Sequence, residues 1–144
     1  FPIETFDTVM NINVKGCFLA TKFATPLLVK SNSGVIVLVA SGAGVIGGSS
    51  SIAYGTSKGA VNGMGFVLEN HLASRGVRVN VICPGSVETE LKLKQMREAA
   101  EYHGQEWDQS EASQRLGDPI GVSRIIAFLA SDDGAYVKRN MFTR

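Results

Sequence analysis

The fold is decided by residues 34–44, which have the sequence GVIVLVASGAG. A glycine breaks the preceding segment, and five aliphatic residues from Val35 to Val39 follow it without any polar alternation. Short unbroken apolar runs of this kind are typical of strands buried on both faces, as in parallel sheets. We therefore predict a buried parallel strand, followed by a loop of small residues that starts at Ser41.

The neighbouring segments alternate between helix and strand patterns. Apolar residues upstream recur at helical spacing, and the expected buried stripe consists of Phe6, Val9, Met10, Cys17, Phe18, Ala24, Leu27 and Leu28, with Asn13 on the same stripe. The predicted order is a helix from Thr5 to about Val29, the strand, a helix from about Ala53 to Ser74, a strand over residues 77–82, a helix starting at Asp118-Pro119, and a last strand at residues 141–143. This alternation predicts an α/β layer structure with a parallel sheet.

Composition is typical of a soluble globular protein with one domain. The 144 residues are 44% hydrophobic and 19% charged, and the net charge of +1 comes without a basic cluster. We therefore expect no nucleic-acid partner. The longest apolar run, residues 35–40, is too short to cross a bilayer. Cys17 and Cys83 lack partners at metal-ligand spacing, and we predict reduced thiols, no metal site and a cytoplasmic protein.

The segment Tyr54-Gly55-Thr56-Ser57-Lys58 contains a pair of residues suited to proton transfer. Residues four apart on a helix lie on one face, so Tyr54 and Lys58 are expected to be neighbours. The phenol of a tyrosine ordinarily has a pKa of ~10, and a nearby ammonium stabilises the phenolate. Such a pair can act as an acid and a base at working pH, although a chance surface pair has the same spacing.

Other polar residues are expected at one edge of the predicted sheet, where the parallel strands end. Ser41 follows the first strand, thirteen residues before Tyr54, and residues 84–89 follow the second strand. Ligands of open parallel sheets bind outside the carboxyl ends of the strands. Asn13 lies on an apolar helix stripe, where an amide is costly unless it is hydrogen-bonded. These features together favour a catalytic site at this edge.

On these residues the sequence resembles the short-chain dehydrogenase/reductase family. The family's asparagine, serine and Tyr-x-x-x-Lys stand at the expected spacing as Asn13, Ser41, Tyr54 and Lys58. The segments INVKG, SGAG, AYGTSKGAV, RVNVICPG and FLASDDGAYV are similar to family segments, and the resemblance covers nearly all of residues 1–137. It implies a partial Rossmann-like fold, the C-terminal half of a doubly wound parallel sheet, and an oxidoreductase that uses NAD or NADP.

The resemblance also implies roles for single residues. Tyr54 would be the general acid and base, and Lys58 would stabilise its phenolate and bind the nicotinamide ribose. Ser41 would hold the carbonyl of a small-molecule substrate, and Asn13 would position a water in the proton relay. The expected cofactor contacts are Tyr54, Lys58, Pro84, Gly85, Val87 and Thr89. Residues 90–115 are expected to cover the site, and the sequence does not identify the substrate.

The chain departs from the family pattern at both ends. The glycine-rich phosphate turn, the Asn-Asn-Ala-Gly stretch and the segment that separates NAD from NADP users are expected upstream of Phe1, and the usual Thr-Gly does not follow Val137. We therefore expect residues 1–144 to be one partial domain, truncated at both ends, that alone is inactive and binds the dinucleotide poorly. The intact protein is expected to be a homodimer or homotetramer.

Two other interpretations of the chain stay open. Gly55 to Gly59 fits the G-x-S-x-G elbow of serine hydrolases, although that elbow requires a strand that runs directly into the turn. Alternatively, the chain is a non-catalytic fragment or a helix-mediated oligomerisation module, with a flat strip at Gly55, Gly59 and Gly63. Plain structural roles are also open for three site residues: a tie to neighbouring backbone for Asn13, a turn residue for Ser41, and a helix cap for Thr89.

Overall fold

The computed structural model describes residues 1–49 and 51–142, with side chains up to residue 138. A continuous helical run opens the chain and consists of α1 (Ile3–Met10), a π segment (Asn11–Lys15) and α2 (Gly16–Lys30). Its buried stripe is narrower than predicted, because Cys17 and Leu28 pack against the core whereas Phe18 and Leu27 are 51% and 72% exposed. Successive residues lie about 100° apart around a helix, so these two side chains fall outside the arc that meets the core.

Among residues 1–49 and 51–142 three parallel strands form the sheet in the order β1 (Val35–Val39), β2 (Arg78–Cys83), β3 (Arg139–Phe142). In the register of β1 and β2, Val35 stands opposite Arg78 and Val39 opposite Ile82. The β3 strand starts two residues before the predicted one, and the last predicted residue, Thr143, lies outside the described residues. The predicted α/β class with a parallel sheet is confirmed.

In the described part of the chain four further helices connect and cover the strands, and two of their boundaries lie where the sequence predicts them. The long helix α3 (Ile52–Leu72) continues into a short 3-10 turn (Ala73–Arg75) that ends at Gly76, whose φ of 75° is the left-handed conformation that glycine favours. The last helix starts where predicted, because an Asp118 carboxylate oxygen accepts from the Ile120 amide at 2.8 Å. The bounds of the four helices are α3 (Ile52–Leu72), α4 (Glu90–Tyr102), α5 (Gln109–Gln114) and α6 (Pro119–Ala130).

The core lies between α3 and one face of the sheet. Ile36 and Leu38 of β1 are buried on that face together with Val61 of α3. The prediction that β1 is buried on both faces is wrong, since Val39 is 43% exposed. On the opposite face α6 packs against β1 and leaves Val35 and Val37 half-buried, and the exposure increases at Val39, where the strand ends.

Across the described part of the chain, none of the helices combines the length and the apolar character needed to span a membrane.

Candidate active site

The first two turns of α3 present Tyr54 and Lys58 at the carboxyl end of β1. The helix begins here because the Ser51 hydroxyl accepts from the Tyr54 amide at 3.3 Å. One turn later the Lys58 ammonium lies 5.7 Å from the centre of the Tyr54 ring. The same ammonium donates to the carbonyl of Val39, the last residue of β1, at 3.1 Å. The predicted pairing of Tyr54 with Lys58 is therefore present in the structure.

Ser41 stands two residues beyond β1 in extended backbone. Its hydroxyl oxygen accepts from the Ala43 amide at 3.2 Å and thereby caps the 3-10 turn Gly42–Gly44. Ser41 thus has the turn role that the sequence left open. The hydroxyl acts as acceptor in this bond, so its hydrogen is still available for donation to a ligand.

The loop of Ser41 packs directly on α3 through two glycines. A Cβ on Gly44 would lie 2.5 Å from the carbonyl carbon of Lys58, and one on Gly59 would lie 2.9 Å from the Gly44 oxygen. Gly55 also faces this loop, since a Cβ there would lie 3.6 Å from the Ala43 oxygen. The loop of the same chain therefore covers Gly55 and Gly59. The prediction of an open flat strip on α3 is wrong at these two glycines, whereas Gly63 faces open space.

Asn13 is joined to α3 by Ser57, a residue whose part in the site the sequence did not suggest. Asn13 lies half-buried in the π segment, and its Nδ2 donates to the Ser57 hydroxyl at 3.0 Å. Ser57 is 0% exposed and donates in turn to the Tyr54 carbonyl at 2.8 Å. The hydrolase interpretation is wrong, because a buried serine inside a helix cannot be the exposed nucleophile of an elbow. The spacing of three residues from Tyr54 places Ser57 on the same side of α3, but the sequence gives no sign of its bond to Asn13.

The segment after β2 lies beside the Ser41 loop. The Gly42 amide donates to the Pro84 carbonyl at 3.2 Å, which ties the two loops together. Thr89 caps α4, since its hydroxyl accepts from the Lys92 amide at 3.2 Å. The structure therefore shows the helix-cap role of Thr89, whereas its contact with a cofactor stays a prediction, as do those of Pro84, Gly85 and Val87.

Residues 88–116 form a long excursion from the end of β2, and the two ends of this segment lie side by side. Val87 pairs with Gly117 in an isolated parallel bridge, and the Glu88 amide donates to the Gly117 carbonyl at 2.9 Å. Because this bridge stands three residues after Pro84, the excursion starts and ends next to the loop that follows β2. A cavity of about 510 Å³ lies between α4 and α5, with Trp107 in its wall, and is not lined by Tyr54, Lys58 or Ser41.

Among the described residues no cluster of His, Cys, Asp or Glu could hold a metal ion. Cys83, at the end of β2, is 1% exposed, and its thiol lies 3.9 Å from the Asn62 side-chain oxygen. Burial raises the pKa of the Cys83 thiol above its ordinary value, because desolvation penalises the thiolate. The burial and the raised pKa both lower the reactivity of this thiol.

Residues 1–100 match the short chain dehydrogenase family, and the chain belongs to this family. Its relatives include the 3-oxoacyl-acyl-carrier-protein reductase FabG of Thermotoga maritima, 37% identical over 134 residues that are 93% of this chain and 53% of the relative. The 2-(R)-hydroxypropyl-CoM dehydrogenase of Xanthobacter autotrophicus is 34% identical over 136 residues, 94% of this chain and 54% of that protein. The chain thus spans about half the length of the curated relatives it matches.

Solved structures share the architecture. An NAD+-bound xylitol dehydrogenase superposes with a TM-score of 0.84 at 31% identity, over 99% of this chain and 60% of that one. ElxO with NADP bound gives a TM-score of 0.83 at 27% identity, over 99% of this chain and 57% of that one. The predicted Rossmann-like fold class is confirmed by these neighbours.

Proposed function

We propose that this chain carries the proton-transfer half of an NAD(P)-dependent oxidoreductase that interconverts a carbonyl and a secondary alcohol. The observation that carries the proposal is the position of the Lys58 ammonium, which donates to the Val39 carbonyl and lies beside the Tyr54 ring. Membership of the short chain dehydrogenase family supports it, as do the coenzymes in the solved structures of similar fold.

The donor set of the site fits the nicotinamide riboside end of such a coenzyme. A lysine ammonium has three N–H donors, and the Val39 carbonyl uses one of those of Lys58. The others are suited to a ribose diol. Pro84, Gly85 and Val87 would line the nicotinamide, and the Thr89 hydroxyl, which acts as an acceptor in its cap, keeps its hydrogen for the coenzyme. When bound, the nicotinamide supplies or accepts the hydride.

The residues of this chain would manage the proton. In the reducing direction Ser41 holds the carbonyl oxygen, and the Tyr54 phenol donates its proton to that oxygen as the alcohol forms. The phenolate left on Tyr54 is stabilised by the neighbouring ammonium of Lys58. A water held by Asn13 beside Lys58 would then relay a proton from bulk solvent to the phenolate, which restores the Tyr54 phenol. Oxidation of an alcohol runs through the same groups in reverse.

The test is deuterium transfer by the gene product that contains these 144 residues. NADH or NADPH deuterated at nicotinamide C4 is offered with a panel of small ketones, and the alcohols are examined by mass spectrometry. We expect deuterium on the carbinol carbon of at least one product with one of the two coenzymes. Coenzyme oxidation that leaves every product without deuterium would refute the proposal.

For the 144 residues by themselves we propose weak coenzyme binding. The site described above offers contacts to the nicotinamide end, and a few contacts seldom offset the entropy lost when a large flexible ligand is fixed. Within the described sheet β1 also has an unpaired edge, which favours self-association. Titration of the soluble chain with NADH and NADPH tests this. Saturable binding with Kd below about 100 μM, roughly −5.5 kcal/mol, would contradict it.

We also propose that the working protein is a cytoplasmic homodimer or homotetramer. Exposed apolar side chains on the long helices support self-association, among them Phe23 at 70% and Val67 at 55% exposure. The two free cysteines support a reducing compartment. Light scattering on the eluting gene product gives the oligomeric state, and a monomer at micromolar concentration would contradict the proposal.

A further inference from the structure

A hydrogen bond between two side chains ties the short helix α5 to the segment that precedes α4. The Ser113 hydroxyl donates to Glu88 Oε1 at 2.8 Å, and both residues are half-buried. Ser113 lies inside α5, whereas Glu88 stands two residues before α4 begins. The bond therefore joins the two ends of the excursion through side chains, beside the backbone bridge of Val87 and Gly117.

The backbone around Glu88 is extended, and this decides which way its neighbours face. The Glu88 amide donates to the Gly117 carbonyl at 2.9 Å, and the Gly117 amide donates to the Ser86 carbonyl at 2.9 Å, as in a parallel ladder. Thr89 is extended as well, with φ of -133° and ψ of 155°. Successive side chains of extended backbone point to opposite sides. Because Glu88 faces α5, Val87 and Thr89 face away from α5.

Val87 and Thr89 are the residues of this segment that are proposed above to contact the coenzyme. We infer that Ser113 is a positioning residue for coenzyme binding, which acts through Glu88 to hold Val87 and Thr89 in place from the opposite side of the segment. The inference rests on the proposed function. Because α5 also forms part of the wall of the cavity of about 510 Å³, the same bond connects the surroundings of that cavity to the coenzyme site.

Coenzyme titration of the gene product tests the inference. Without substrate, Ser113→Ala should raise the Kd of NADH or NADPH, measured by coenzyme fluorescence, about fivefold, the effect of one lost hydrogen bond. At saturating coenzyme, kcat should stay within about twofold of wild type, because loss of uniform binding raises KM and leaves kcat unchanged. An unchanged Kd would overturn the inference, and so would a kcat that falls in proportion to the affinity.

A double-mutant cycle shows whether Ser113 acts through Glu88. In the Glu88→Ala background, Ser113→Ala should change the coenzyme Kd less than about twofold. Equal changes in both backgrounds would overturn the inference. Two conservative variants preserve the bond, since threonine keeps a hydroxyl and glutamine keeps an acceptor oxygen. Ser113→Thr and Glu88→Gln should each bind the coenzyme within about twofold of wild type, and affinities as weak as that of Ser113→Ala would contradict the inference.

A matched control separates this role from the general loss of a serine hydroxyl. The Ser123 hydroxyl donates to the Pro119 carbonyl at 3.1 Å within α6, and this bond involves no residue of the proposed coenzyme site. Ser123→Ala should leave the coenzyme Kd within about twofold of wild type. An equal loss of affinity in Ser123→Ala and Ser113→Ala would overturn the specific role of Ser113.

The positioning role and the proposed function fail in different ways. If the wild-type gene product binds neither NADH nor NADPH, the proposed function fails and the positioning role fails with it. If the wild type binds one of the two coenzymes and Ser113→Ala binds it equally well, only the positioning role of Ser113 fails.

Discussion

The backbone of Gly44 lies against the backbone of Gly59, and this contact places the loop of Ser41 on the helix of Tyr54. A Cβ on Gly44 would come within 2.5 Å of the Lys58 carbonyl carbon, a distance that real Cβ atoms essentially never show. Close approach of two backbones is the reason for glycine at both positions. The position of Ser41 relative to Tyr54 and Lys58 therefore depends on the absence of two side chains.

Gly44→Ala should separate the loop from α3 and reduce turnover of the gene product about a hundredfold, since misplacement by about 1 Å can cost that much. The measurement is kcat/KM together with the midpoint of thermal unfolding. Gly63→Ala is the matched control, because a Cβ there would meet nothing within 4 Å. Alanine inside a helix is favourable by roughly 0.5–1 kcal/mol, so this control should be active and slightly more stable. Equal activity in both variants would contradict the account.

Lys58→Met should raise the coenzyme KM at least about tenfold, since a hydrogen bond from a charged donor contributes about 1.5–3 kcal/mol. The ammonium that lies beside the Tyr54 ring and donates to the Val39 carbonyl is the group proposed to bind the nicotinamide ribose. Lys22→Met removes the other lysine that lies over an aromatic ring, 5.9 Å from the centre of Phe23 on α2. Its coenzyme KM should match the wild type. An unchanged coenzyme KM in Lys58→Met would contradict the role of Lys58.

Thr89 can be tested for a second role besides its cap. Aspartate caps helices well but, when ionised, has no hydrogen to donate, whereas serine keeps both functions. We expect Thr89→Asp to raise the coenzyme KM at least about fivefold, which corresponds to about 1 kcal/mol, while its unfolding temperature stays near that of Thr89→Ser. Equal KM values in the two variants would show that Thr89 is a cap and nothing more.

Cys83 should make stability fall in alkaline solution. Burial raises the pKa of its thiol in the folded state, so the unfolded chain ionises first as pH rises past about 8.5. The contribution is complete below that pH and is lost as pH rises toward the folded pKa. The stability difference between wild type and Cys83→Ala should thus be constant near neutrality and shrink above about pH 8.5. A difference that stays constant up to pH 10 would contradict this, and Cys17→Ala serves as the comparison.

Several elements of the fold could be predicted because their signals are local. The aliphatic run of β1, the left-handed glycine at Gly76 and the Asp118-Pro119 start each depend on neighbouring residues. Burial of β1 was overestimated because the sequence of one strand does not show how far α6 extends over it. The buried stripe predicted for α2 was too wide for the same reason. How much of the circumference of a helix is buried depends on the elements that pack against it, which the sequence of the helix does not show.

The residues of the site that could be predicted are likewise those whose signal is local in the sequence. Tyr54, Lys58 and Ser41 were identifiable because their spacing is a recognisable motif, and the structure brings Lys58 to the strand that ends just before Ser41. The link through Ser57 depends on a π segment that sets Asn13 against α3, and no pattern in the sequence signals that bond. The glycines of α3 were assigned to an open surface because the sequence does not show that the loop at Gly44 covers Gly59.

The central claim, that Tyr54 transfers the proton, is tested most directly by the turnover of Tyr54→Phe in the gene product. The phenylalanine ring preserves the packing of α3 and removes only the hydroxyl, and Tyr136→Phe is the matched control because Tyr136 is 96% exposed. We predict that kcat of Tyr54→Phe falls to less than about one hundredth of wild type, the scale of general acid–base catalysis, with Tyr136→Phe unchanged. Retention of more than about a tenth of the wild-type kcat, at most roughly 1.4 kcal/mol of transition-state stabilisation, would contradict the assignment.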